Sequence, residues 1–224
     1  MSTSWIIVTD FDGTLTEKDV GNELCEEVVP QKFKELHKLY KSGSLNFKNF
    51  QQQMWTHFPT SEAEFKRLAV KHGKLRRGCE VFLSACHERR LPLYVASCGL
   101  RPYIEEVLKK NLSPELYALV KEIRCNEVSF GTSRIETFET PEKSDDAQVS
   151  FDKGKWCEEL RVKHPRSKIL GIGNGTSDRS FAGKIDVFAT TEALTLWCQK
   201  NSIAHTHFET LDELLSLAPF RGTV

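Results

Sequence analysis

Two aspartates separated by one residue follow a short apolar run near the start of the chain, in the segment VTDFDGTLT. Asp10 and Asp12 carry like charges at close range, and such carboxylates repel each other unless a cation lies between them. Oxygen ligands with few other donors favour a hard ion such as Mg²⁺. One carboxylate can attack phosphorus, while a second protonates the leaving oxygen and later activates water. The pair therefore has the chemistry of group transfer beside a metal ion.

Other reactive groups follow apolar runs or begin helices farther along the chain. Ser97 comes at the end of LPLYVAS, Lys153 lies in FDKGKW, and Asn174 and Asp178 lie in the GNGTSD segment after KILGI. A serine hydroxyl with the backbone N–H groups after it can hold phosphoryl oxygens. A lysine can neutralise the charge that develops during transfer. These groups predict a site for a phosphorylated ligand.

The elements that must position these groups alternate between strands and helices. Trp5 to Thr9 predicts a buried strand, because the run is apolar and rich in β-branched residues. Further strands are predicted over LPLYVASCG, SKILGIGNG, IDVFAT and IAHTHFE, and a final helix over LDELLSLA. Strands that alternate with helices favour a parallel sheet. Ligands of such sheets bind at the carboxyl ends of the strands, where the reactive residues lie.

A helical block separates the first strand from the remaining ones and is too long for a simple crossover connection. We therefore expect an α/β fold with a Rossmann-like parallel sheet core flanked by helices, and an all-α helical cap inserted after the first strand. The predicted core domain comprises residues 1–16 and 77–224, and the predicted cap domain comprises residues 17–76.

Composition limits the possible partners. Lys and Arg number 31, as do Asp and Glu, and this zero net charge argues against nucleic acid. No apolar stretch approaches the ~18 residues of a membrane span. The seven cysteines include no C-x-x-C pair and suggest reduced thiols, so we expect a cytoplasmic protein. The expected partner is a small phosphorylated metabolite, and the expected state is a monomer or homodimer.

The order of four motifs is similar to that of a known family. DFDGT, VASCGL, FDKGK and GNGTSD together resemble the haloacid dehalogenase superfamily of aspartate-nucleophile phosphatases. A helical cap after the first motif resembles the branch that contains phosphoserine phosphatases and methylthiopentenyl-phosphate phosphatases. Any single motif is modest evidence, whereas four in order span most of the chain.

The resemblance implies roles for the acidic residues. Asp10 would be the nucleophile that forms a phospho-aspartate, and Asp12 would be the general acid and base. Mg²⁺ would be held by the Asp10 side chain and the Asp12 backbone carbonyl, with Asn174 as a further ligand and Asp178 near the metal. The implied reaction is Mg²⁺-dependent hydrolysis of a small phosphomonoester.

The resemblance also implies a phosphoryl-binding set. Ser97 and Lys153 would bind the phosphoryl group with help from the backbone amides of Gly13 and Gly99. Lys155 is an alternative to Lys153, which is preferred because it lies at the predicted helix start.

One departure from the family pattern concerns the metal site. The last motif usually begins G-D-G, and here Asn174 replaces the aspartate. Three alternatives stay open. Asp178 compensates as a direct ligand, the protein is a weakly active or inactive binder of phosphorylated ligands, or the amide is an introduced substitution.

A second departure concerns the substrate. Phosphoserine phosphatases have a glutamate where this chain has Asp19 and a cap arginine where it has Met54. We therefore expect a small, neutral or moderately polar phosphomonoester rather than phosphoserine. Asp19 is a candidate substrate-binding residue and equally a candidate helix N-cap. Phe50 and Trp55 fit either the cap core or a substrate wall.

Overall fold

The computed structural model describes residues 4–141 and 151–221, which form an α/β fold around a single seven-stranded sheet. The strands are β1 (Ser4–Thr9), β2 (Leu93–Leu100), β3 (Val120–Phe130), β4 (Ile135–Glu139), β5 (Ser167–Gly173), β6 (Val187–Thr190) and β7 (Thr206–His207). Their order in the sheet is β4-β3-β2-β1-β5-β6-β7. All neighbours are parallel except β3 and β4, which form an antiparallel hairpin. The predicted fold class is confirmed.

The helices in the described ranges flank this sheet or lie between β1 and β2. They are α1 (Val20–Val28), α2 (Pro30–Lys41), α3 (Phe47–Trp55), α4 (Glu62–His72), α5 (Cys79–Glu88), α6 (Arg101–Asn111), α7 (Pro114–Tyr117), α8 (Lys153–Lys163) and α9 (Glu192–Lys200). The longest, α2, has 12 residues. Within the two described ranges, no helix has both the length and the apolar character needed to cross a membrane.

Strand β1 lies at the centre of the sheet and brings its carboxyl end next to those of β2 and β5. All of β1 except Ser4 is buried, which explains why its sequence is apolar on both faces. Thr9 is in register with Val95 of β2 and with Ile172 of β5. The backbone N–H of Asp10 then donates to the Ile172 carbonyl over 2.9 Å. The residues that follow the three strands therefore meet at one edge.

Helices α1 to α4 are inserted between β1 and α5. The segments that enter and leave the insert lie next to each other, and an antiparallel bridge joins Thr16 to Leu75. The insert is not separated from the sheet by solvent, because α4 packs against α6 and Phe65 lies 6.3 Å from the Tyr103 ring. The division into a core and a cap at residues 17 and 76 stays a prediction.

The C-terminal elements differ from the sequence expectation. The strand predicted over IAHTHFE is reduced to Thr206–His207, which pairs with β6 at the edge of the sheet. The helix predicted over LDELLSLA is a 3₁₀ helix at Leu211–Ser216. Short edge strands and short 3₁₀ turns depend on the neighbouring elements, so periodicity in the sequence does not define them.

Candidate active site

A cavity of about 230 Å³ lies between the carboxyl edge of the sheet and the inserted helices. Its sheet side carries carboxylates, the Ser97–Gly99 segment of β2 and the turn after β5. Its insert side carries mostly aromatic and apolar side chains. Lining residues include Asp10, Asp12, Ser97, Gly99, Tyr103 and Asn174 from the sheet side, and Asp19, His37, Tyr40, Lys41, Phe47, Phe50, Met54 and Trp55 from the insert.

The ammonium group of Lys153 joins two carboxylates behind this cavity. Its Nζ lies 2.8 Å from Asp10 Oδ1 and 2.7 Å from Asp178 Oδ1, and its side chain is 0% exposed. Lys153 begins α8, where Asp152 caps the helix by accepting from the backbone N–H groups two and three residues on. Lys155 is exposed. The preference for Lys153 over Lys155 therefore agrees with this geometry.

Asp178 is held on both of its oxygens. While Oδ1 accepts from Lys153, Oδ2 accepts from the backbone N–H groups of Asn174 and Gly175 over 3.0 Å and 2.9 Å. The Asp178 side chain is 0% exposed, and it is absent from the described residues that line the cavity. The structure thus places Asp178 where it orients Lys153 and the turn after β5, and its role as a metal ligand stays a prediction.

Burial and the oppositely charged neighbours act in opposite directions on the pKa values of Asp10 and Lys153. Burial raises the pKa of Asp10 from 3.8 to about 7, the Asp178 charge adds to the rise, and Lys153 opposes it. For Lys153, burial works to lower the pKa, but the charges of Asp10 and Asp178 outweigh burial and raise it. The lysine therefore stays a cation, while Asp10 is an acid that gains from a further positive charge.

Asp12 is held separately from Asp10 by partners outside the sheet. Its Oδ2 accepts from the Tyr103 hydroxyl over 2.5 Å, and its Oδ1 accepts from the backbone N–H of Val20 over 2.9 Å. Burial raises the pKa of Asp12 well above its ordinary value; the Asp19 charge adds to this, and the Tyr103 hydrogen bond opposes it. Asp12 is therefore suited to carry a proton at neutral pH.

The C-terminal half of β2, where the register with β3 shifts between Ala96 and Leu100, is organised around Ser97. The backbone N–H of Gly99 donates to Ser97 Oγ over 2.9 Å, and the Ser97 hydroxyl lies 3.5 Å from Asp12 Oδ2. Asn126 Nδ2 fixes the same segment by donating to the Cys98 carbonyl over 2.6 Å. The structure brings Ser97 and Gly99 to the cavity, although the Gly99 N–H is directed at the serine oxygen.

Of the two further candidates for ligand binding, Asp19 lines the cavity and Gly13 does not. The Gly13 N–H donates to Thr16 Oγ1 over 3.1 Å and to the Lys18 carbonyl over 3.2 Å. Gly13 is also absent from the described residues lining the cavity, so the structure does not direct this amide at a phosphoryl group. Asp19 does line the cavity, and its Oδ1 caps α1 by accepting from Asn22 N over 2.8 Å. The position of Asp19 is thus compatible both with a role in substrate binding and with a role as helix N-cap.

The oxygen donors at the cavity suit Mg²⁺ with a small protein contribution. Within residues 4–141 and 151–221, no three His, Cys, Asp or Glu side chains converge closely enough to hold a metal. The predicted set is of another kind, with a carboxylate from Asp10, a main-chain carbonyl from Asp12 and an amide oxygen from Asn174. Mg²⁺ binds through one or two carboxylates and keeps several waters, so this donor set fits it.

Aromatic rings dominate the insert side of the cavity. Tyr40 stacks on Phe50 at 5.4 Å between ring centroids, and Phe47 lies 5.7 Å from Tyr40. Met54, at the position expected for a substrate-binding arginine, is buried and lines the same wall. Phe50 and Trp55 both contribute to the core and both line the cavity. The two interpretations of these aromatic residues are therefore compatible.

Sequence reasoning missed three residues that contact the site. Tyr103 binds Asp12, while Arg76 and Glu192 contact one another and lie beside Asn174. An aromatic residue within an amphipathic helix is typical of a core position, so Tyr103 carried no signal. Arg76 and Glu192 are 116 residues apart, and no local motif connects them.

Comparison with known proteins identifies relatives along nearly the whole chain. The model of the haloacid dehalogenase-like hydrolase family matches residues 7–183. A 2-hydroxy-3-keto-5-methylthiopentenyl-1-phosphate phosphatase of Lysinibacillus sphaericus (strain C3-41) is 25% identical over 218 residues, which cover 95% of this chain and 92% of that protein.

Solved structures with the same fold include phosphatases. A phospho-aspartyl intermediate analogue of phosphoserine phosphatase superimposes with a TM-score of 0.73 and 18% identity, covering 96% of this chain and 98% of the other. A HAD family hydrolase from Salmonella enterica serovar Typhi gives a TM-score of 0.76 and 15% identity, covering 95% and 71%. The family match spans most of the chain, and the chain belongs to the haloacid dehalogenase-like hydrolases.

Proposed function

We propose that this protein is a phosphatase that hydrolyses a small-metabolite phosphomonoester in a Mg²⁺-dependent reaction, through a phospho-aspartate on Asp10. The observation that carries the proposal is the position of Asp10, which lines the cavity while a fully buried Lys153 binds its other side. Family membership supports hydrolysis, and the methylthiopentenyl-phosphate phosphatase among the relatives supports a phosphate ester as substrate.

The proposed first step transfers the phosphoryl group to Asp10. A carboxylate oxygen of Asp10 forms a bond to phosphorus, the bond from phosphorus to the ester oxygen breaks, and Asp12 gives its proton to that oxygen. The raised pKa of Asp12 makes it a proton donor at neutral pH. The Ser97 hydroxyl holds a phosphoryl oxygen, while Lys153, which contacts Asp10 from behind the cavity, neutralises charge there and is kept in place by Asp178.

The second step reverses the proton transfer. Asp12, now ionised, removes a proton from a water molecule that attacks phosphorus, and the bond from phosphorus to Asp10 breaks. The Tyr103 hydroxyl and the Val20 N–H orient the Asp12 carboxylate in both steps. Phosphate is released as the product, and Asp10 returns to its ionised form.

Mg²⁺ is proposed to be held by the Asp10 side chain, the Asp12 main-chain carbonyl and the Asn174 amide oxygen. When bound, it neutralises charge between the carboxylates and the phosphoryl oxygens. Asp178 is proposed to act near the metal rather than on it, because both of its oxygens already accept hydrogen bonds.

The aromatic wall supports a substrate whose leaving group has apolar surface. We propose that residues 17–76 act as a cap over the site, with Tyr40, Phe47 and Phe50 packing against the ester group and Asp19 at its polar edge. The described lining includes Lys41 and His37 but no arginine, and Met54 lies where a substrate-binding arginine is expected, so a two-pronged guanidinium contact to an amino-acid carboxylate is not available. A neutral or moderately polar phosphomonoester fits better than phosphoserine.

A weakly active or inactive phosphate-ligand-binding protein is the second candidate. It is favoured by Asn174, which offers a neutral oxygen where the family usually offers a carboxylate. The two candidates differ in whether a covalent phosphoryl-enzyme forms during turnover.

Rapid acid quench with a ³²P-labelled aryl phosphate, with and without Mg²⁺, tests the proposal. Wild-type protein should acquire acid-stable, hydroxylamine-sensitive label. Asp10→Asn should acquire none. Asp12→Asn should retain label, because an aryl leaving group needs little protonation in the first step while the second step is blocked. Label on Asp10→Asn, or binding of the ester without label on wild type, would contradict the proposed reaction.

A further inference from the structure

A carboxylate outside the cavity holds the side-chain amide of Asn174. Asn174 Nδ2 donates to Glu192 Oε2 over 3.2 Å, and Arg76 Nη2 donates to Glu192 Oε1 over 2.9 Å. A carboxylate can only accept hydrogen bonds, and each of its oxygens here serves one donor. The NH₂ group of Asn174 is therefore directed at Glu192, and its oxygen points away from Glu192.

Arg76 fixes Glu192 relative to the loop that follows the two aspartates. Its guanidinium donates to the Gly13 carbonyl over 2.5 Å, to the Thr14 carbonyl over 2.9 Å and to the Glu209 carbonyl over 3.1 Å. The Arg76 side chain is only 12% exposed. These three carbonyls, from two parts of the chain, therefore fix the guanidinium whose Nη2 also donates to Glu192.

The backbone at this point is strained and closely packed. Glu192 begins α9 with a φ of +52°, a left-handed conformation that is uncommon for residues other than glycine. Such strain persists only where surrounding contacts hold it, and it is concentrated at functional sites. Gly13, with φ of +69°, approaches so closely that a Cβ there would lie 2.3 Å from Asn174 Nδ2.

Asn174 lies at a boundary between two cavities. It lines the catalytic cavity with Asp10 and Asp12, and it also lines an outer cavity together with Glu192 and Glu26. An amide whose nitrogen faces the outer carboxylate offers its oxygen to the opposite side.

We propose that Glu192, held by Arg76, is a positioning residue that turns the Asn174 amide oxygen toward the catalytic cavity as a neutral ligand for Mg²⁺. This inference rests on the proposed function. Without such a partner, an amide can present either its oxygen or its NH₂ group, and an NH₂ group repels a cation. Glu192 would thus allow an amide to replace the carboxylate usual at this position.

Glu192→Gln is the isosteric test, because glutamine keeps only one acceptor oxygen. That oxygen is needed by Arg76, so the new NH₂ group faces Asn174 and makes its amide reverse. Calorimetric titration of Mg²⁺ without substrate should then show a dissociation constant raised by about tenfold, as for other partners of metal ligands. Glu26→Gln removes an exposed carboxylate from the same outer cavity without contacting Asn174, and it should leave the dissociation constant unchanged.

A second pair of variants tests the contact in the metal-free protein. Asn174→Asp places a carboxylate against Glu192 and should lower Tm, whereas adding Glu192→Gln should restore Tm because the new NH₂ group donates to the aspartate. Strictly additive changes in Tm would overturn the inference.

The titration separates this inference from the proposed function. Equal Mg²⁺ affinity of wild type and Glu192→Gln would overturn the role of Glu192 alone. Wild-type protein that binds no Mg²⁺ would overturn the metal requirement of the proposed function and this inference with it. Weaker binding by Glu192→Gln but not by Glu26→Gln is the supporting result.

Discussion

The sheet side and the insert side of the cavity are built from different interactions. On the sheet side, Asp10, Lys153 and Asp178 are joined by hydrogen bonds of 2.7 to 2.8 Å, and Lys153 and Asp178 are fully buried. On the insert side, Tyr40 and Phe50 stack at 5.4 Å, and the Lys41 ammonium lies 5.8 Å from the Tyr40 ring centroid. Charged hydrogen bonds impose a direction, whereas ring packing does so weakly.

The two sides of the cavity are therefore suited to recognise different parts of a ligand. A fixed set of charges suits the phosphoryl group, which all substrates of such an enzyme would share. An apolar wall suits an ester group that can vary in shape. Substitutions on the sheet side should therefore affect stability and reaction steps, and substitutions on the insert side should affect mainly binding of particular esters.

The largest expected effect is that of Lys153→Met. It leaves Asp10 and Asp178 buried without their cation, so the free energy of unfolding should fall by about 3–5 kcal/mol, the usual cost of removing one partner of a buried pair. Urea unfolding measures this loss. Lys155→Met, in the exposed position two residues along the same helix, should change stability little. Equal effects of the two variants would contradict a stabilising role of the Lys153 hydrogen bonds to Asp10 and Asp178 on the sheet side.

The next effect concerns pH and Mg²⁺. The folded-state pKa of Asp10, about 7, lies above its ordinary value of 3.8, so folding retains a proton that the unfolded chain releases. The contribution to stability is present below about pH 4 and is lost as the pH rises through 7. The Tm of the metal-free protein should therefore fall as the pH rises from 5 to about 8. Added Mg²⁺ should raise the Tm again at the higher pH but not at the lower one.

Asp10→Asn provides the control for this pH effect. Its Tm should depend less on pH over the same interval and should respond less to Mg²⁺. A metal-free wild-type protein whose Tm rises with pH across 5 to about 8 would contradict the assigned direction of the Asp10 shift.

A smaller effect is expected for Tyr103→Phe. The Tyr103 hydroxyl lowers the pKa of Asp12, so its removal should raise that pKa further. The acidic limb of the pH–rate profile should move to higher pH, because the proposed second step requires an ionised Asp12 to activate water. Labelled phosphoryl-enzyme should accumulate under acid quench. Tyr117→Phe, on a helix remote from the cavity, should leave the profile in place.

The smallest effect is expected for Tyr40→Ala on the insert side. Loss of a ring contact worth about 0.5–1.5 kcal/mol should raise KM for phenyl phosphate several-fold. The KM for ethyl phosphate should change less, and kcat should be similar for both. A matched fall in kcat for both esters would show that this wall takes part in the reaction steps.

Much of the sheet side was predictable because its residues follow strand ends in local motifs. Asp10 after β1, Ser97 at the end of β2 and Lys153 at the start of α8 were identified from short segments, and the parallel sheet explains why they meet. Parallel strands align their carboxyl ends, so local signals are enough to predict proximity there. The Gly13 amide shows the limit of prediction from local motifs, because the motif does not reveal its hydrogen bonds to Thr16 and Lys18.

By itself, the sequence determined the fold class, the family resemblance and the main reactive residues, because periodicity and motifs are properties of short segments. Only the tertiary structure decided which partner each side chain takes. It placed Asp178 behind Lys153, Tyr103 on Asp12, and Glu192 beside Asn174. The physical reason is that hydrogen-bond geometry and burial depend on contacts between residues far apart in the chain.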